Sequence, residues 1–469
     1  MTVIDECVRL LGADRVRHHP LDLAIFAKDA GVRSGPVLAA VFPETTSEVA
    51  SLVALANKYG VPVVARGAGT GLAGGAVSID PGLLIVLTRL NQVEDIDLVG
   101  ATAWVGPGVI NLDLSNQLEP FGYHFAPDPS SQQACTIGGN VGTNAGGPHC
   151  LADGTTVAHV LAAELVTSDA EVITVGGEVP DAPGLDLRAV VVGSEGTLGI
   201  VTRVLVRLTP NPPAVSTLLI GFPSVTDAAA MVSDVIGSGI VPAALEMMDK
   251  AMVVAVENFV QAGYPTEAEA VLLVEVTGVP ASVSADVDAI VAVAESNGAS
   301  SIRVAEDDTE RALLWKGRKS AFGAVAQAAP DYYLHDTVVP RTRLVEVLEQ
   351  IYEIGDRFGI SMLNVFHAGD GNLHPLVAFD AKEPGALDGV LAAATEMVEV
   401  SIAAGGSLSG EHGIGVEKRD LMGLVFSDLD LDAQARIREA FDPTGIMNPH
   451  KVLPTGSRCF DASERAITS

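Results

Sequence analysis

The stretch that decides the fold is Arg66-Gly67-Ala68-Gly69-Thr70-Gly71-Leu72-Ala73-Gly74-Gly75, which directly follows an apolar run over residues 61–65. Five glycines in ten residues let backbone N–H groups approach an anion without interference from Cβ atoms, which is how proteins cradle pyrophosphate groups. The spacing does not match the dinucleotide fingerprint of Rossmann folds, because no long helix and no acidic residue follow as that fingerprint requires. The stretch therefore indicates a phosphate-binding loop of another kind, with a plain surface loop as the alternative.

Two further segments are rich in glycine and short polar side chains. Residues 127–147 contain Pro127-Asp128-Pro129-Ser130-Ser131, Thr136-Ile137-Gly138-Gly139-Asn140 and Gly142-Thr143-Asn144-Ala145-Gly146-Gly147. Structural turns alone would not need so long a run of small, uncharged side chains between glycines. A polar ligand held by the backbone and by short side chains explains the segment better. The third segment, residues 192–202, is a tight turn between apolar runs and by itself predicts only a hairpin.

The pattern of apolar residues predicts two domains. Residues 37–209 show strand-like runs at 37–42, 61–65, 83–87, 161–166, 190–192 and 201–208, with a helix at 46–59. Thr209-Pro210-Asn211-Pro212-Pro213 ends this series, because prolines there continue neither a helix nor a central strand. Helices are then predicted at 227–238, 281–297, 343–358, 387–404 and 431–440, and strands at 270–277, 361–367 and 374–379. We expect an α+β protein with domains at 1–213 (core 37–210) and 214–425, a segment at 426–454 returning to the first domain, and a disordered tail at 455–469.

The charge and cysteine content exclude several functions. The chain has 469 residues, with 28 Lys and Arg against 59 Asp and Glu, so its net charge is −31. A field of this sign repels phosphate backbones and anionic membrane surfaces, which excludes nucleic acid as a partner. The first residues do not resemble a secretory signal, and a cytoplasmic protein is expected. The four cysteines show no paired spacing, which argues against both a disulfide scaffold and an iron–sulfur cluster.

Two histidines flank a predicted tight turn. His367 and His374 lie on either side of Asp370-Gly371, between two apolar runs. Seven positions apart on a single strand, the two side chains would face opposite sides, but a fold at the turn lets both imidazoles converge. With a carboxylate supplied from elsewhere, the pair is compatible with a metal site.

A second polar cluster can supply that carboxylate. Glu411 and His412 are adjacent within Ser409-Gly410-Glu411-His412-Gly413-Ile414-Gly415, which follows the predicted helix at 387–404. The surrounding glycines leave the backbone free to aim both side chains at one point. A plain polar loop after a helix is the alternative.

The three glycine-rich segments together resemble the FAD-binding domain of the vanillyl-alcohol-oxidase, or PCMH, type. Over residues 37–454 the chain looks most similar to the FAD subunit of bacterial glycolate oxidase and to the related D-lactate and D-2-hydroxyglutarate dehydrogenases. The resemblance implies a PCMH-type FAD-binding domain of two subdomains, joined to an α+β cap domain with an antiparallel sheet. Thr70 stands where some members carry the histidine that links FAD covalently, so the FAD is expected to be non-covalent.

The resemblance also assigns residues to the cofactor site. The first glycine-rich segment is expected to hold the pyrophosphate, the second to line the isoalloxazine and ribityl parts, and the third to flank the adenine or the flavin edge. The expected cofactor-binding residues are Arg66, Gly67, Ala68, Gly69, Thr70, Gly71, Gly74, Pro127, Asp128, Ser130, Thr136, Gly138, Gly139, Asn140, Gly142, Thr143, Asn144, Glu195, Gly196, Ile200, Val201 and Asn448.

Metal ligands and a catalytic base follow from the same resemblance. It implies that His367, His374 and Glu411 hold a divalent metal and that His412 is the base. Zn²⁺ is the first choice for two imidazoles and a carboxylate, and Mn²⁺ or Fe²⁺ remain open. The Trp315-x-x-Arg318 spacing resembles the family element whose arginine grips the substrate carboxylate, although a solvated cationic helix face is the usual meaning of such a cluster.

Two departures from the 2-hydroxyglutarate branch bear on the substrate. Leu334 and Leu376 stand where that branch, as aligned, carries a lysine and an asparagine. Apolar residues at both positions argue against a dicarboxylic acid as the substrate. The sequence therefore predicts oxidation of a small D-2-hydroxy acid, such as D-lactate or glycolate, to the 2-oxo acid, with hydride transfer to the flavin.

Several alternatives and partners stay open at this stage. A D-2-hydroxyglutarate-type dehydrogenase and a non-catalytic FAD subunit of an electron-transfer complex are the main alternative functions. Other flavoenzymes of this fold lack the metal set, and a metallohydrolase would leave the glycine-rich segments without a role. The electron acceptor is expected to be a separate iron–sulfur subunit, an electron-transfer flavoprotein or a quinone. A homodimer and peripheral association with a membrane electron-transfer complex are both compatible with the sequence.

Overall fold

The glycine-rich stretch at Arg66 begins where a strand of a small mixed sheet ends. The computed structural model describes residues 2–179, 183–327 and 329–454, so the predicted disordered tail at 455–469 lies outside the described residues. The described residues fold as two compact units. The first comprises residues up to Gly146, Thr155–Asn211 and the described residues from Glu411 on, and the second comprises Gly147–Gly154 and Pro212–Gly410.

The first unit contains two main sheets in the described part of the chain. A four-stranded sheet has the order β1-β2-β4-β3, with β4 parallel to both β2 and β3. A five-stranded antiparallel sheet has the order β5-β6-β10-β8-β9, and β7 pairs with β11. The strands are β1 (Val16–Arg17), β2 (Val37–Val41), β3 (Val63–Arg66), β4 (Gly82–Val86), β5 (Val93–Asp97), β6 (Thr102–Val105), β7 (Tyr123–His124), β8 (Val160–Val166), β9 (Val172–Gly176), β10 (Ile200–Arg207) and β11 (Thr209–Pro210).

The second unit is built on one antiparallel sheet of eight strands among the described residues. Its order is β15-β12-β14-β13-β18-β19-β16, and β17 also pairs with β19. The strands are β12 (Ala214–Phe222), β13 (Ala244–Asp249), β14 (Ala270–Gly278), β15 (Ser301–Val304), β16 (Asp331–Leu334), β17 (Thr337–Val338), β18 (Ser361–His367) and β19 (Asn372–Phe379).

The helices begin and end where the sequence supplies caps. Ser, Thr or Asp side chains cap the first turn of several of them, and glycines in the left-handed conformation end others, as in α3 and α14. The helices are α1 (Val3–Leu11), α2 (Pro20–Leu23), α3 (Thr46–Tyr59), α4 (Asn111–Leu118), α5 (Ile137–Thr143), α6 (Cys150–Asp153), α7 (Thr156–His159), α8 (Leu187–Val191), α9 (Val225–Gly237), α10 (Lys250–Val260), α11 (Pro280–Ser296), α12 (Asp308–Lys319), α13 (Ala321–Val325), α14 (Leu344–Phe358), α15 (Ala386–Ala403) and α16 (Asp428–Phe441). In the described part of the chain, no helix has both the length and the apolar character needed to cross a membrane.

The two faces of the large sheet differ in character. Side chains from α9, α11, α14 and α15 pack with alternate residues of the strands, including Leu245, Met247 and Phe366, into one apolar core. Because successive strand residues point to opposite faces, Glu246 and His367 lie on the other face. Helix α12 contributes Arg318 to that face, and this arrangement positions the candidate site.

Most predicted elements are confirmed, and one is wrong. Helix α3 has the predicted bounds, and β18 matches the predicted strand at 361–367. The strand expected at 190–192 is instead the end of α8, because the Asp186 side chain accepts the N–H of Ala189 and caps a short helix. Only Val192 is extended there, just before the positive-φ turn at Gly193. From Glu411 on, the described residues belong to the first unit, whereas the segment that returns to the first domain was expected to begin at residue 426.

Candidate active site

The three glycine-rich segments come together within the first unit. A Cβ on Gly67 would collide with the side chain of Thr136, so the first segment lies directly against the start of α5. A Cβ on Gly75 would lie 2.7 Å from Glu195 Oε2, which brings the third segment to the first. The Glu195 N–H donates to the Gly142 carbonyl at 2.8 Å, joining the third segment to the second. This convergence fits a single extended ligand held by closely approaching backbone, as expected for FAD.

Several predicted cofactor residues use their side chains to hold the segments. Asn448 is fully buried, and its Nδ2 donates to the carbonyls of Gly75 and Glu195 at 2.8 and 2.6 Å. Buried Arg66 donates to the carbonyls of Lys28 and Ala76. These side chains organise the cradle, and direct contact with the cofactor stays a prediction.

Two buried side chains of the cradle were missed by the sequence analysis. Asn111 donates its amide to the Pro127 carbonyl and to Asn140 Oδ1, both at 2.9 Å. Lys451 is fully buried and donates to the Val77 carbonyl and to Asn448 Oδ1. Burial lowers the pKa of Lys451 to about 8, against the opposing effect of the Glu195 carboxylate. A lone lysine in a loop, or an asparagine at the first position of a helix, carries no sequence signal for such a role.

Glu195 also fixes the loop that carries His412. Its Oε1 accepts the N–H groups of Ile414 and Gly415 at 2.7 and 3.0 Å, all within the first unit. Burial raises the pKa of Glu195, and these two backbone donors oppose the shift. Gly413 and Gly415 have φ values of +84° and +53°, which favour glycine. The glycines around His412 therefore serve a loop conformation that the Glu195 carboxylate holds.

The two predicted metal-binding histidines of the second unit lie side by side. Strands β18 and β19 form a hairpin in which His367 pairs with Asn372 and Val365 with His374, so both imidazoles lie on one face. Their ring centroids are 5.0 Å apart, and both side chains are buried. The expectation that a turn at Asp370-Gly371 lets the two rings converge is confirmed.

The contacts of the two rings suit metal ligation. His367 Nδ1 lies 2.8 and 2.9 Å from the two carboxylate oxygens of Glu246, and His374 Nδ1 lies 3.2 Å from the His335 carbonyl. Because each Nδ1 faces an acceptor, a neutral ring at either position would place its proton on Nδ1 and its lone pair on Nε2. Two buried imidazoles with Nε2 lone pairs on one face fit a divalent cation such as Zn²⁺.

Arg318 is held by the same buried carboxylate. Its Nε and Nη2 contact Glu246 Oε2 at 2.7 and 2.5 Å, and the side chains of both residues are almost fully buried. The ion pair does not involve Nη1. The Nε–Nη2 edge is therefore occupied by Glu246. The predicted contact of Arg318 with a substrate carboxylate would have to be made through Nη1. Glu246 itself was missed by the sequence analysis.

The loop before Glu411 is anchored within the second unit. The Gly410 N–H donates to both oxygens of Asp336 at 3.0 and 3.1 Å, and Ser409 Oγ donates to Asp336 Oδ2 at 2.5 Å. Asp336 is fully buried, so this attachment is shielded from water. Glu411 follows Gly410 in the chain, which fixes where its backbone begins.

The chain matches two family models that together cover most of its length. Residues 37–176 match the FAD binding domain, and residues 211–452 match the C-terminal domain of FAD linked oxidases. The chain therefore belongs to the FAD-linked oxidases, and it is an FAD-dependent oxidoreductase of α+β fold.

Individual relatives agree with this class. The chain is 45% identical to the glycolate oxidase subunit GlcD of Escherichia coli K12 over 92% of this chain and 86% of that protein. It is 33% identical to a D-lactate dehydrogenase of Anaerostipes hadrus over 87% of this chain and 88% of that protein. The structure of p-cresol methylhydroxylase shares the fold with a TM-score of 0.83 at 16% identity, over 96% of both chains.

Proposed function

We propose that this chain oxidises a small D-2-hydroxy acid to the 2-oxo acid with non-covalent FAD and one divalent metal ion. The observation that carries the proposal is the buried pair His367 and His374, with both Nδ1 atoms engaged by acceptors on one sheet face. Relatives of high coverage named as a glycolate oxidase subunit and a D-lactate dehydrogenase support the substrate class.

Each group has a defined role in the proposed reaction. When bound, FAD supplies the acceptor for the C2 hydride, and a divalent cation supplies a Lewis acid that lowers the pKa of the substrate hydroxyl. His367, His374 and Glu411 would hold the cation, which we expect to be Zn²⁺, with Mn²⁺ or Fe²⁺ as alternatives. His412 accepts the hydroxyl proton, since an unperturbed imidazole titrates near neutral pH. Arg318 supplies positive charge for the substrate carboxylate.

The proposed substrate is a small or apolar 2-hydroxy acid. Leu334 pairs directly with Leu376 across β16 and β19, and Leu376 shares its face with His374, two residues away. Both leucines are buried. A second carboxylate placed beside this apolar pair would lose hydration without gaining a partner, which disfavours a 2-hydroxyglutarate-type substrate.

The electrons leave FAD for a separate acceptor in this proposal. The four cysteines of the sequence have no cluster-forming spacing, and Cys7 and Cys135 are buried. An iron–sulfur subunit, an electron-transfer flavoprotein or a quinone could accept them.

Anaerobic reduction of the purified protein tests the function directly. We expect D-lactate or glycolate to bleach the flavin absorbance, L-lactate to do so far more slowly, and D-2-hydroxyglutarate to be a poor substrate. Acid precipitation should release the flavin into the supernatant. A protein whose flavin none of these acids reduces, although metal and FAD are present, would contradict the proposal and favour a non-catalytic subunit.

A further inference from the structure

We propose that Glu246 is a positioning residue that selects which nitrogen of the His367 ring carries the proton and also sets the orientation of the Arg318 guanidinium. The inference deepens the proposed function and rests on its assignment of His367 as a metal ligand. Glu246 would thus do two things: it would leave Nε2 of His367 facing the cation, and it would orient the guanidinium of Arg318.

Strand register places Glu246 where it can act on His367. Strands β13 and β18 are antiparallel, and Met247 pairs with Phe366. One step along the same register sets Glu246 opposite His367, with both side chains on the face away from the apolar core. The pairing thus supplies the carboxylate from a strand 121 positions away in sequence.

The hydrogen-bond geometry selects one form of the His367 ring. Both oxygens of Glu246 lie within 2.9 Å of Nδ1, whereas Arg318 Nη2 lies 3.4 Å from the same nitrogen. A carboxylate only accepts, so the proton of the neutral ring resides on Nδ1 and the lone pair on Nε2. A carboxylate in this position also raises the basicity of a metal-binding imidazole, which strengthens ligation.

The same carboxylate has to balance the charge of Arg318. Glu246 is fully buried and Arg318 is 2% exposed, so neither can rely on water. Loss of the Glu246 charge would leave a guanidinium uncompensated in the interior, a strongly destabilising arrangement. The Nε and Nη2 contacts also hold the plane of the guanidinium and thereby orient Nη1.

Helix α12 presents two residues to two buried acids in the same manner. Trp315 and Arg318 are three positions apart and so lie on one face of the helix. Trp315 Nε1 donates to Glu275 on β14, while Arg318 donates to Glu246 on β13. Glu275 therefore provides a matched control, since it is buried, lies in the same sheet and holds the same helix without contacting His367.

The test compares Glu246→Gln with Glu275→Gln in the full-length, FAD-loaded protein. The amide of Glu246→Gln cannot accept from both Nδ1 and Arg318 with equal strength, so we expect Zn²⁺ affinity, measured by competition with a fluorescent chelator, to fall by about 10–100-fold. Glu275→Gln should leave Zn²⁺ affinity unchanged, and FAD content should stay full in both variants. Glu246→Asp, which keeps the charge, should lose less affinity than Glu246→Gln.

A second measurement does not depend on the metal or on the folding of a variant. In metal-free wild-type protein with ¹⁵N-labelled histidine, His367 should carry its proton on Nδ1. A proton on Nε2, or a Glu246→Gln variant that binds Zn²⁺ as tightly as wild type, would overturn the role of Glu246. Wild-type protein that binds no divalent metal but shows the Nδ1 proton would instead refute the metal in the proposed function and leave the positioning of the ring intact.

Discussion

At the scale of single residues, buried carboxylates hold the groups to which we assign chemistry. Glu246 contacts His367 and Arg318, and Glu195 accepts two backbone N–H groups of the His412 loop. Burial, the largest influence, raises the pKa of Glu246, but the Arg318 guanidinium and the hydrogen bond with the His367 ring hold that pKa below its usual value. The functional side chains are thus supported by charges that lie out of contact with solvent.

The role of His412 as base is testable at this scale. His412→Asn removes the proton acceptor and keeps a similar shape, so we expect FAD and metal content to stay normal. Flavin reduction by D-lactate, followed by stopped-flow absorbance, should slow by about 10²–10⁴-fold, the usual contribution of a positioned base. His124→Asn, whose ring contacts Asn211 in the first unit, serves as the control and should react at the wild-type rate. Reduction of His412→Asn at the native rate would remove it from the mechanism.

At the scale of elements, the hairpin of β18 and β19 determines the spacing of the two imidazoles. Its turn contains Gly371, whose φ is +80°, and a Cβ there would collide with the Val339 carbonyl. Gly371 also accepts the Val339 N–H at 3.0 Å. The turn can therefore accommodate neither a side chain nor a large shift without moving His367 or His374.

Gly371→Ala should weaken metal binding through this turn. We expect lower Zn²⁺ affinity and lower thermal stability, because both the left-handed backbone and the collision with Val339 oppose the side chain. Gly385→Ala is the matched control, since Gly385 has the same φ of +80° but open space around its Cβ position. It should lose about 1–2 kcal/mol from the backbone conformation alone and keep its metal affinity. Equal Zn²⁺ affinities in Gly371→Ala and wild type would show that the turn does not control the site.

At the scale of the whole molecule, residues 446–448 complete the core of the first unit. The Val63 N–H donates to the Ile446 carbonyl at 2.8 Å, and the Asn448 N–H donates to the Val63 carbonyl at 2.7 Å. Met447 and Ile446 pack in the same core as β2, β3 and β4. The segment therefore covers the edge strand β3, from which the first glycine-rich segment emerges.

Truncation tests this dependence. A chain ending at Gly410 should lose FAD and precipitate, because the β3 edge and the carbonyls held by Asn448 would be left without partners. A chain ending at Pro454 is the control and should keep its full FAD content. The yellow colour and the 450 nm-region absorbance of the purified fragments report the outcome, and a chain ending at Gly410 that stays soluble with FAD bound would contradict the prediction.

Local sequence by itself determined much of this protein. The glycine-rich segments, the proline-rich break after residue 208 and the Asp-Gly turn between His367 and His374 depend on backbone constraints that act within a few residues. Such constraints do not need the rest of the chain. They predicted the α+β class and the convergence of the two imidazoles.

Tertiary structure alone decided which residues support the site. Strand β13 reads Ala-Leu-Glu-Met-Met-Asp, a run of residues that mostly favour helices, and its central position between β14 and β18 overrides that preference. The contact of Glu246 with His367 then follows from strand register across 121 positions, which no local pattern encodes. Likewise, the local sequence around Arg318 is typical of an exposed, polar helix. Only the packing of α12 against the sheet buries Arg318 beside Glu246. Each of these contacts joins segments that are far apart in the sequence. Only the pairing of strands and the packing of helices in the folded chain bring them together.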